Sequence, residues 1–182
     1  GQSIDDAIGE AFDKTAKLIG LSYPGGAEIE RKAIGGDENR FILPKPLVKE
    51  KNFNFSFSGI KTHINLLTKK NKIDKKFIKD LSASFQKNIS EIIIEKLERG
   101  LKRLRANKVN IRSISVVGGV SNNKYIKNKI QNFFKNNSIE IYYPIKEMMT
   151  DNAAMIAWAC LKFNKQDRSD LYFKPEPKLS VR

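Results

Sequence analysis

Ile8, Ala11, Phe12, Thr15, Leu18 and Ile19 recur at helical spacing and stop at Gly20, a pattern that predicts an amphipathic helix of about four turns. Ser3-Ile4-Asp5-Asp6 in front of it reads as a capping box. Tyr23-Pro24-Gly25-Gly26 is a turn sequence opening a shorter helix over about 27–34. Pro44, Pro46 and the polar stretch 49–52 mark a loop. Residues 53–57 then alternate aromatic with polar, as a short edge strand does, and a helix follows over 59–67.

A long helix is predicted over about 75–105, with Phe77, Leu81, Phe85, Ile89, Ile92, Ile93, Leu97, Leu101 and Leu104 on one apolar stripe and solvated Lys and Glu opposite. The β-branched run 113–117 reads as a buried strand, followed by Gly118-Gly119-Val120-Ser121-Asn122-Asn123, a helix over 125–134 and a second strand over 139–144. Thr150-Asp151-Asn152 caps a last apolar helix over 153–163, which places Cys160 in the core, and the tail after Lys165 reads as extended. Strand, helix, strand, helix at this spacing predicts an α/β fold with a parallel pair and a right-handed crossover. Two good strands and one marginal one are few for so many helices. With Gly1 in place of Met at the start, the expectation is a chain that begins inside a larger protein.

Composition narrows the function classes. The chain has 182 residues, 34 Lys+Arg against 20 Asp+Glu, and a formal charge of +14. Its longest uncharged apolar stretch, 153–161, falls far short of the roughly 20 residues a bilayer requires, and no basic-then-apolar leader opens it. No membrane span is expected. One cysteine, Cys160, cannot form an internal disulfide, and one histidine, His63, cannot build a zinc cluster with it. Of the charges, 19 basic and 6 acidic residues fall within 61–140. That field suits a phosphodiester backbone, whereas 26 Lys against 8 Arg equally suits a lysine-rich solvated surface.

Three places carry candidate chemistry. Gly118-Gly119 before a helix start lets a ligand approach the backbone, and free N–H groups there attract anions; a tight strand-to-helix turn with a Ser/Asn cap is the plainer reading. The third glycine of a dinucleotide fingerprint and the Gly-Lys-Ser/Thr of a phosphate loop are both missing. Gly25-Gly26 is flanked by Asp13 and Glu30, two carboxylates able to accept hydrogen bonds from sugar hydroxyls. Asp151 before an apolar helix reads as an N-cap first and a metal ligand second. Ser56 and Ser58 with His63 lack the Gly-x-Ser-x-Gly elbow and an orienting acid, which speaks against a serine hydrolase.

Taken in order, residues 1–17 (Gly-Gln-Ser-Ile-Asp-Asp-Ala-Ile-Gly-Glu-Ala-Phe-Asp-Lys-Thr-Ala-Lys), Tyr23-Pro24-Gly25-Gly26, Phe55-Ser56-Phe57-Ser58-Gly59-Ile60-Lys61-Thr62, Gly118-Gly119-Val120-Ser121 with Asn123, and residues 150–157 resemble the tRNA threonylcarbamoyladenosine transferase family, formerly known as O-sialoglycoprotein endopeptidases. The resemblance covers essentially the whole chain, and only the C-terminal portion of the family. It implies an actin-like ATPase, ribonuclease-H-like fold of the sugar kinase, Hsp70 and actin type. Residues 1–182 would then be an incomplete second lobe with a helical insertion at about 60–110, and the N-terminal lobe would be absent.

The activity so implied is transfer of threonylcarbamoyl from threonylcarbamoyl-AMP to the N6 amine of the adenosine beside the anticodon, in tRNAs reading codons that begin with A. By the same resemblance Asp13, Gly26 and Glu30 line the ribose side of the nucleotide pocket and Asn123 contacts the adenylate. Family members often carry Asp where Glu30 stands. Asp151 would be a carboxylate ligand to an iron or zinc ion, whose paired histidines lie upstream of everything in this chain; His63 does not replace them. Implied partners are tRNA and the accessory proteins TsaB and TsaE of the bacterial complex; the excess positive charge of 61–140 adds the expectation that the basic long helix and its neighbours, with Lys69, Lys70 and Lys72, form part of a tRNA cradle. The implied location is the cytoplasm. Alternatives are a sugar- or acetate-kinase-like phosphotransferase and a non-catalytic partner-binding fragment.

Overall fold

The computed structural model describes residues 1–149 and 151–163. The elements are α1 (Ile8–Leu18), α2 (Gly25–Ala33), α3 (Ser58–Lys70), α4 (Lys75–Ala106), β1 (Ser113–Ser115), α5 (Lys124–Asn136), β2 (Glu140–Tyr142) and α6 (Ala153–Phe163). Short 3-10 turns occupy Gly119–Asn122 and Lys146–Met148. The chain is α/β and mostly helical. It divides into two compact units, Gly1–Thr150 and Asp151–Arg182.

In the first unit α2 and α5 pack on α4, and α1 packs on α2 and α3. Phe85 of α4 is fully buried and meets Phe12 of α1 edge to face at 4.9 Å between ring centroids. Burial of such a side chain stabilises by about 1.5–3 kcal/mol. The stripe from Phe77 to Ile92 is buried as its spacing requires, but the opposite face is not the solvated one expected. Asp80, Ser82, Ser84, Gln86, Asn88 and Ser90 are buried as well. The segment 37–44 lies against them: Asp80 accepts from the Asp37 N–H (2.9 Å) and pairs with Arg40 (2.8 Å), and Asn88 donates to the Pro44 carbonyl (3.0 Å). Those bonds hold the Asp80 carboxyl below its usual range, the Asp37 N–H contributing most and Arg40 next.

Residues 113–115 and 140–142 form the expected parallel pair in the register Ser113 with Glu140, Ile114 with Ile141 and Ser115 with Tyr142, joined through α5. The strands are not buried: in each the central residue is half covered and its neighbours are exposed. A two-stranded sheet has only one face against the core, so the apolar run 113–117 leaves Val117 70% exposed. Residues 53–57 make a single bridge, Phe55 to Ser3, instead of a strand.

The opening capping box is also overturned. Helix α1 starts at Ile8 behind Ala7 with no side-chain cap, because Ser3 sits in the bridge to Phe55 and Asp5 and Asp6 bond elsewhere. Helix α2 starts two residues earlier than predicted, so Gly25-Gly26 is its first turn. In the second unit α6 has the predicted bounds, but Cys160 is exposed, as are Met155, Ile156, Trp158 and Leu161. The helix is apolar around its whole circumference, and within the described residues of its own unit nothing covers it. The tail after Lys165 lies outside the described residues. Among the described residues no helix is long and apolar enough to cross a membrane.

Candidate functional site

Helix α1 carries Asp13 to the start of α2, where its Oδ1 accepts the Gly25 N–H at 2.8 Å. A Cβ on Gly25 would stand 2.7 Å from the Ala16 Cβ and 2.7 Å from the Asp13 Cα, so only glycine lets the two helices approach this closely. Gly26 differs, since nothing lies within 4 Å of where its Cβ would be. One turn on, Glu30 Oε1 accepts the N–H of Lys124, the first residue of α5, at 2.7 Å.

The double-glycine turn leads into the same place from β1. Gly118 has φ +95°, a conformation reserved for glycine. Asn123 caps α5 by accepting the Ile126 N–H (3.0 Å) and donates to buried Gln86 of α4 (2.6 Å). Asp13, Gly26, Glu30 and Asn123 thus line one cleft of about 500 Å3, with Gly119 and Val120 on its far wall. Glu30 also borders a neighbouring cavity of about 550 Å3, shared with Gln86, Gly35 and Tyr125. There the Tyr125 hydroxyl donates to Glu38 (2.7 Å); burial first, and this bond second, push its pKa up.

The helix start after Gly118-Gly119 is not the open anion site that its sequence suggests. Lys124 and Ile126 give their N–H groups to Glu30 and Asn123, and Lys127 gives its own to the Asn123 carbonyl. Asp13 and Glu30 each spend one oxygen on a helix N-terminus and keep the other without a partner among the described residues. Two such acceptors in one cleft suit the hydroxyls of a diol and disfavour a phosphate beside them.

Ser56 and Ser58 are no nucleophiles. Both donate to Asp5, at 2.5 and 2.7 Å, and the Phe57 N–H joins them at 2.8 Å, so Asp5 clamps the start of α3. His63 bonds to neither serine. Partial desolvation pushes the Asp5 carboxyl up, but the bonds from Ser56, Phe57 and Ser58 together outweigh it and hold the pKa at about 2, against 3.8 unfolded. A depressed carboxylate stabilises above its unfolded pKa and loses that contribution as pH falls through the folded one. Asp5→Asn should therefore lower unfolding free energy near neutrality by about 1 kcal/mol, the exposed position screening the rest, and flatten the acid limb between pH 3.8 and about 2. Denaturant melts at stepped pH check this; an unchanged acid limb would refute it.

Asp151 opens the second unit. The α6 cap expected from it belongs to Asn152, whose Oδ1 accepts the Met155 N–H at 3.0 Å. Among the described residues no group of three or more His, Cys, Asp or Glu could hold a metal ion. One carboxylate does not hold a catalytic cation by itself, so the described residues do not fit the iron or zinc site.

Asp5 and Gln86 went unread in the sequence. Gln86 had a signal: residues 80–90 of α4 hold one lysine and several small polar residues, a composition that suits burial better than a solvated face. Asp5 had none, because its partners lie about fifty residues away.

A family model described as tRNA N6-adenosine threonylcarbamoyltransferase matches residues 1–158. Proteins of that name from Neorickettsia sennetsu and Thermosipho africanus are 40% and 41% identical over 98% and 100% of this chain, covering 53% and 54% of their own lengths. The one from Rickettsia massiliae is 40% identical over 100% of the chain and 54% of its own length. The chain spans about half the length of the curated relatives it matches. With the family's model matching residues 1–158 and two of its members 40% and 41% identical over 98% and 100% of the chain, the chain belongs to the tRNA N6-adenosine threonylcarbamoyltransferase family.

Proposed function

We propose that the chain is the C-terminal portion of an enzyme that transfers threonylcarbamoyl from threonylcarbamoyl-AMP to the N6 amine of the adenosine next to the anticodon, in tRNAs reading codons that begin with A. The observation that carries this reading is the cleft where Asp13, Gly26, Glu30 and Asn123, drawn from α1, α2 and the turn before α5, meet. The free carboxylate oxygens of Asp13 and Glu30 hold the ribose hydroxyls, Gly26 leaves room for the sugar, and Asn123, fixed by Gln86, keeps the glycine turn in place beside it.

No protein nucleophile is required. The N6 amine attacks the carbonyl carbon of the mixed anhydride, the bond from that carbon to the phosphate oxygen breaks, AMP leaves, and the amine proton passes to water. The chain's contribution is position: two carboxylates that take hydroxyls and repel phosphate set which end of the adenylate faces the incoming amine. Asp151 would supply one carboxylate to an iron or zinc ion whose other ligands are not among the described residues. In this reading the first unit belongs to the second ribonuclease-H-like lobe of an actin-like fold, with α3 and α4 as its helical insertion. TsaB and TsaE are its accessory proteins in the cytoplasm.

The chain alone should form no product, whereas a fusion of the N-terminal half of the Thermosipho africanus relative ahead of Gly1 should modify unmodified tRNA supplied with threonylcarbamoyl-AMP, read by nucleoside mass spectrometry. Asp13→Ala in that fusion should raise the KM for adenylate about tenfold or more, the loss of a charged hydrogen bond. An unchanged KM would overturn the site assignment, and product from the chain alone would overturn its dependence on the other half.

A further inference from the structure

Lysines on and around α3 and α4 differ in whether a carboxylate holds them. Along α4 and against it, Lys45 pairs with Glu91 (2.9 Å), Lys87 pairs with Glu91 and donates to Asn39, and Lys102 pairs with Glu98 (2.7 Å). At the elbow between the two helices the pattern reverses. Lys69 and Lys70 end α3, Lys72 lies in the connecting turn, and Lys75, Lys76 and Lys79 stand on the first turns of α4. All six are exposed and none has an ion pair among the described residues. The two nearby carboxylates are spoken for: Asp74 caps α4 by accepting the Phe77 N–H, and Asp80, whose field Lys76 feels, is held by Arg40 and the Asp37 N–H.

The elbow also adjoins the cavity next to the cleft. The Lys79 Nζ lies 3.1 Å from the place a Gly35 Cβ would take, and Gly35 lines the cavity whose wall, Glu30, is shared with the ribose cleft. Uncompensated, uncrowded ammonium groups are the form of positive charge that releases counterions from a polyphosphate, whereas the paired lysines of α4 have already spent theirs. Lys87 and Lys102, further along α4, each carry a glutamate partner; the elbow lysines do not.

We propose that the α3–α4 elbow, Lys69, Lys70, Lys72, Lys75, Lys76 and Lys79, is a phosphate-backbone binding surface that holds tRNA beside the cleft, with Lys79 at the cleft end. The identity of the nucleic acid rests on the transferase reading; the surface itself rests on the free lysines. It binds by position along the backbone and reads no bases, since lysine alone is a point charge.

The test compares the 182-residue chain with two substituted forms, K69Q/K70Q/K72Q/K76Q and the control K45Q/K87Q/K102Q. Binding of a tRNA transcript is followed by fluorescence anisotropy over a salt series, with phosphatidylserine vesicles as a second probe. The elbow form should lose roughly ten- to a hundredfold in affinity, and its log–log salt slope should fall by about 3–4. The control should change little in affinity, and the elbow form should melt with the parent, as exposed substitutions do. An unchanged slope, an equal loss in the control, no binding by the parent chain, or loss of vesicle binding with tRNA binding intact would each overturn the proposal. In the fusion enzyme the elbow form should raise the KM for tRNA and keep its kcat. A fusion that binds tRNA through the elbow but transfers nothing would count against the transferase reading and leave the surface standing.

Discussion

Gly25→Ala should destabilise the first unit by about 1–3 kcal/mol and lower its melting midpoint by several degrees, whereas Gly26→Ala, one residue on, should leave the midpoint within about a degree. The two glycines look equivalent in the sequence. In the structure a Cβ at Gly25 meets the Asp13 Cα and Ala16 Cβ at 2.7 Å and the Asp13 Oδ1 at 2.9 Å, and two of those atoms belong to packed, inflexible positions of α1. To accept a methyl group α2 must move off α1, which stretches the Asp13 bond to the Gly25 N–H and shifts Glu30 with the rest of the helix. At Gly26 the methyl group enters open space, and alanine suits a helix better than glycine. That space is the cleft. Gly26→Ala should then cost adenylate affinity in the fusion enzyme with no loss of stability, and Gly25→Ala should cost both. Thermal melts together with adenylate titrations separate the two; equal melting midpoints for both variants would refute the assignment of separate roles.

The sequence made the helices legible wherever one face was apolar and the other charged. The long α4 was predicted to within one residue at its end, and α6 had its observed bounds, because a 3.6-residue period and a cap are local properties. What failed was non-local. Ser3-Ile4-Asp5-Asp6 satisfies the spacing of a capping box, yet Asp5 is drawn to Ser56, Phe57 and Ser58, partners that spacing within a helix does not reveal. The β-branched run 113–117 predicts burial, but the sheet that would bury it has two strands among the described residues. The polar middle of α4 is covered by the segment 37–44, whose backbone N–H and carbonyl groups and Arg40 bond to it, partners some forty residues away that a helical period does not reveal.

The cleft was legible in a different sense. Asp13, Gly26, Glu30 and Asn123 were singled out from glycine turns with flanking acids and from the family resemblance, and the structure brings all four to one wall-to-wall site. Their everyday structural work was only partly foreseen: Asp13 and Glu30 each cap a neighbouring helix, and Asn123 caps its own. Those two readings do not compete, since a carboxylate has two oxygens and each acid uses one for the fold. The same bonds that orient the acids also neutralise the helix starts that would otherwise draw phosphate into the sugar end of the cleft.

Lys96→Met is expected to lower unfolding free energy by about 1–3 kcal/mol, because this lysine is not at the surface. It is 4% exposed, and its ammonium donates to the carbonyls of Leu47 (2.6 Å) and Asn52 (3.0 Å). Arg99 next to it takes the carbonyls of Val48 and Glu50, so the loop of residues 47–52 is folded around two cations of α4. Methionine fills a similar volume but donates nothing, so the Leu47 carbonyl loses this ammonium and the Asn52 carbonyl keeps only its longer bond from Arg99 (3.3 Å), a loss of about 1–3 kcal/mol. The loss reaches further than the loop, since the same segment delivers Phe55 to its bridge with Ser3 and the Asp5 clamp to the start of α3. Burial foremost, with Arg99 second, lowers the Lys96 pKa below its ordinary 10.5. The unfolded chain therefore binds more protons than the folded one between the two values, and stability contributed at this site rises with pH across that window. The gap in unfolding free energy between the parent and Lys96→Met should accordingly widen as pH approaches 10.5. Denaturant melts at neutral and alkaline pH measure both terms, and a gap below about 1 kcal/mol, or one that narrows with pH, would show that the loop is held by something other than this buried ammonium.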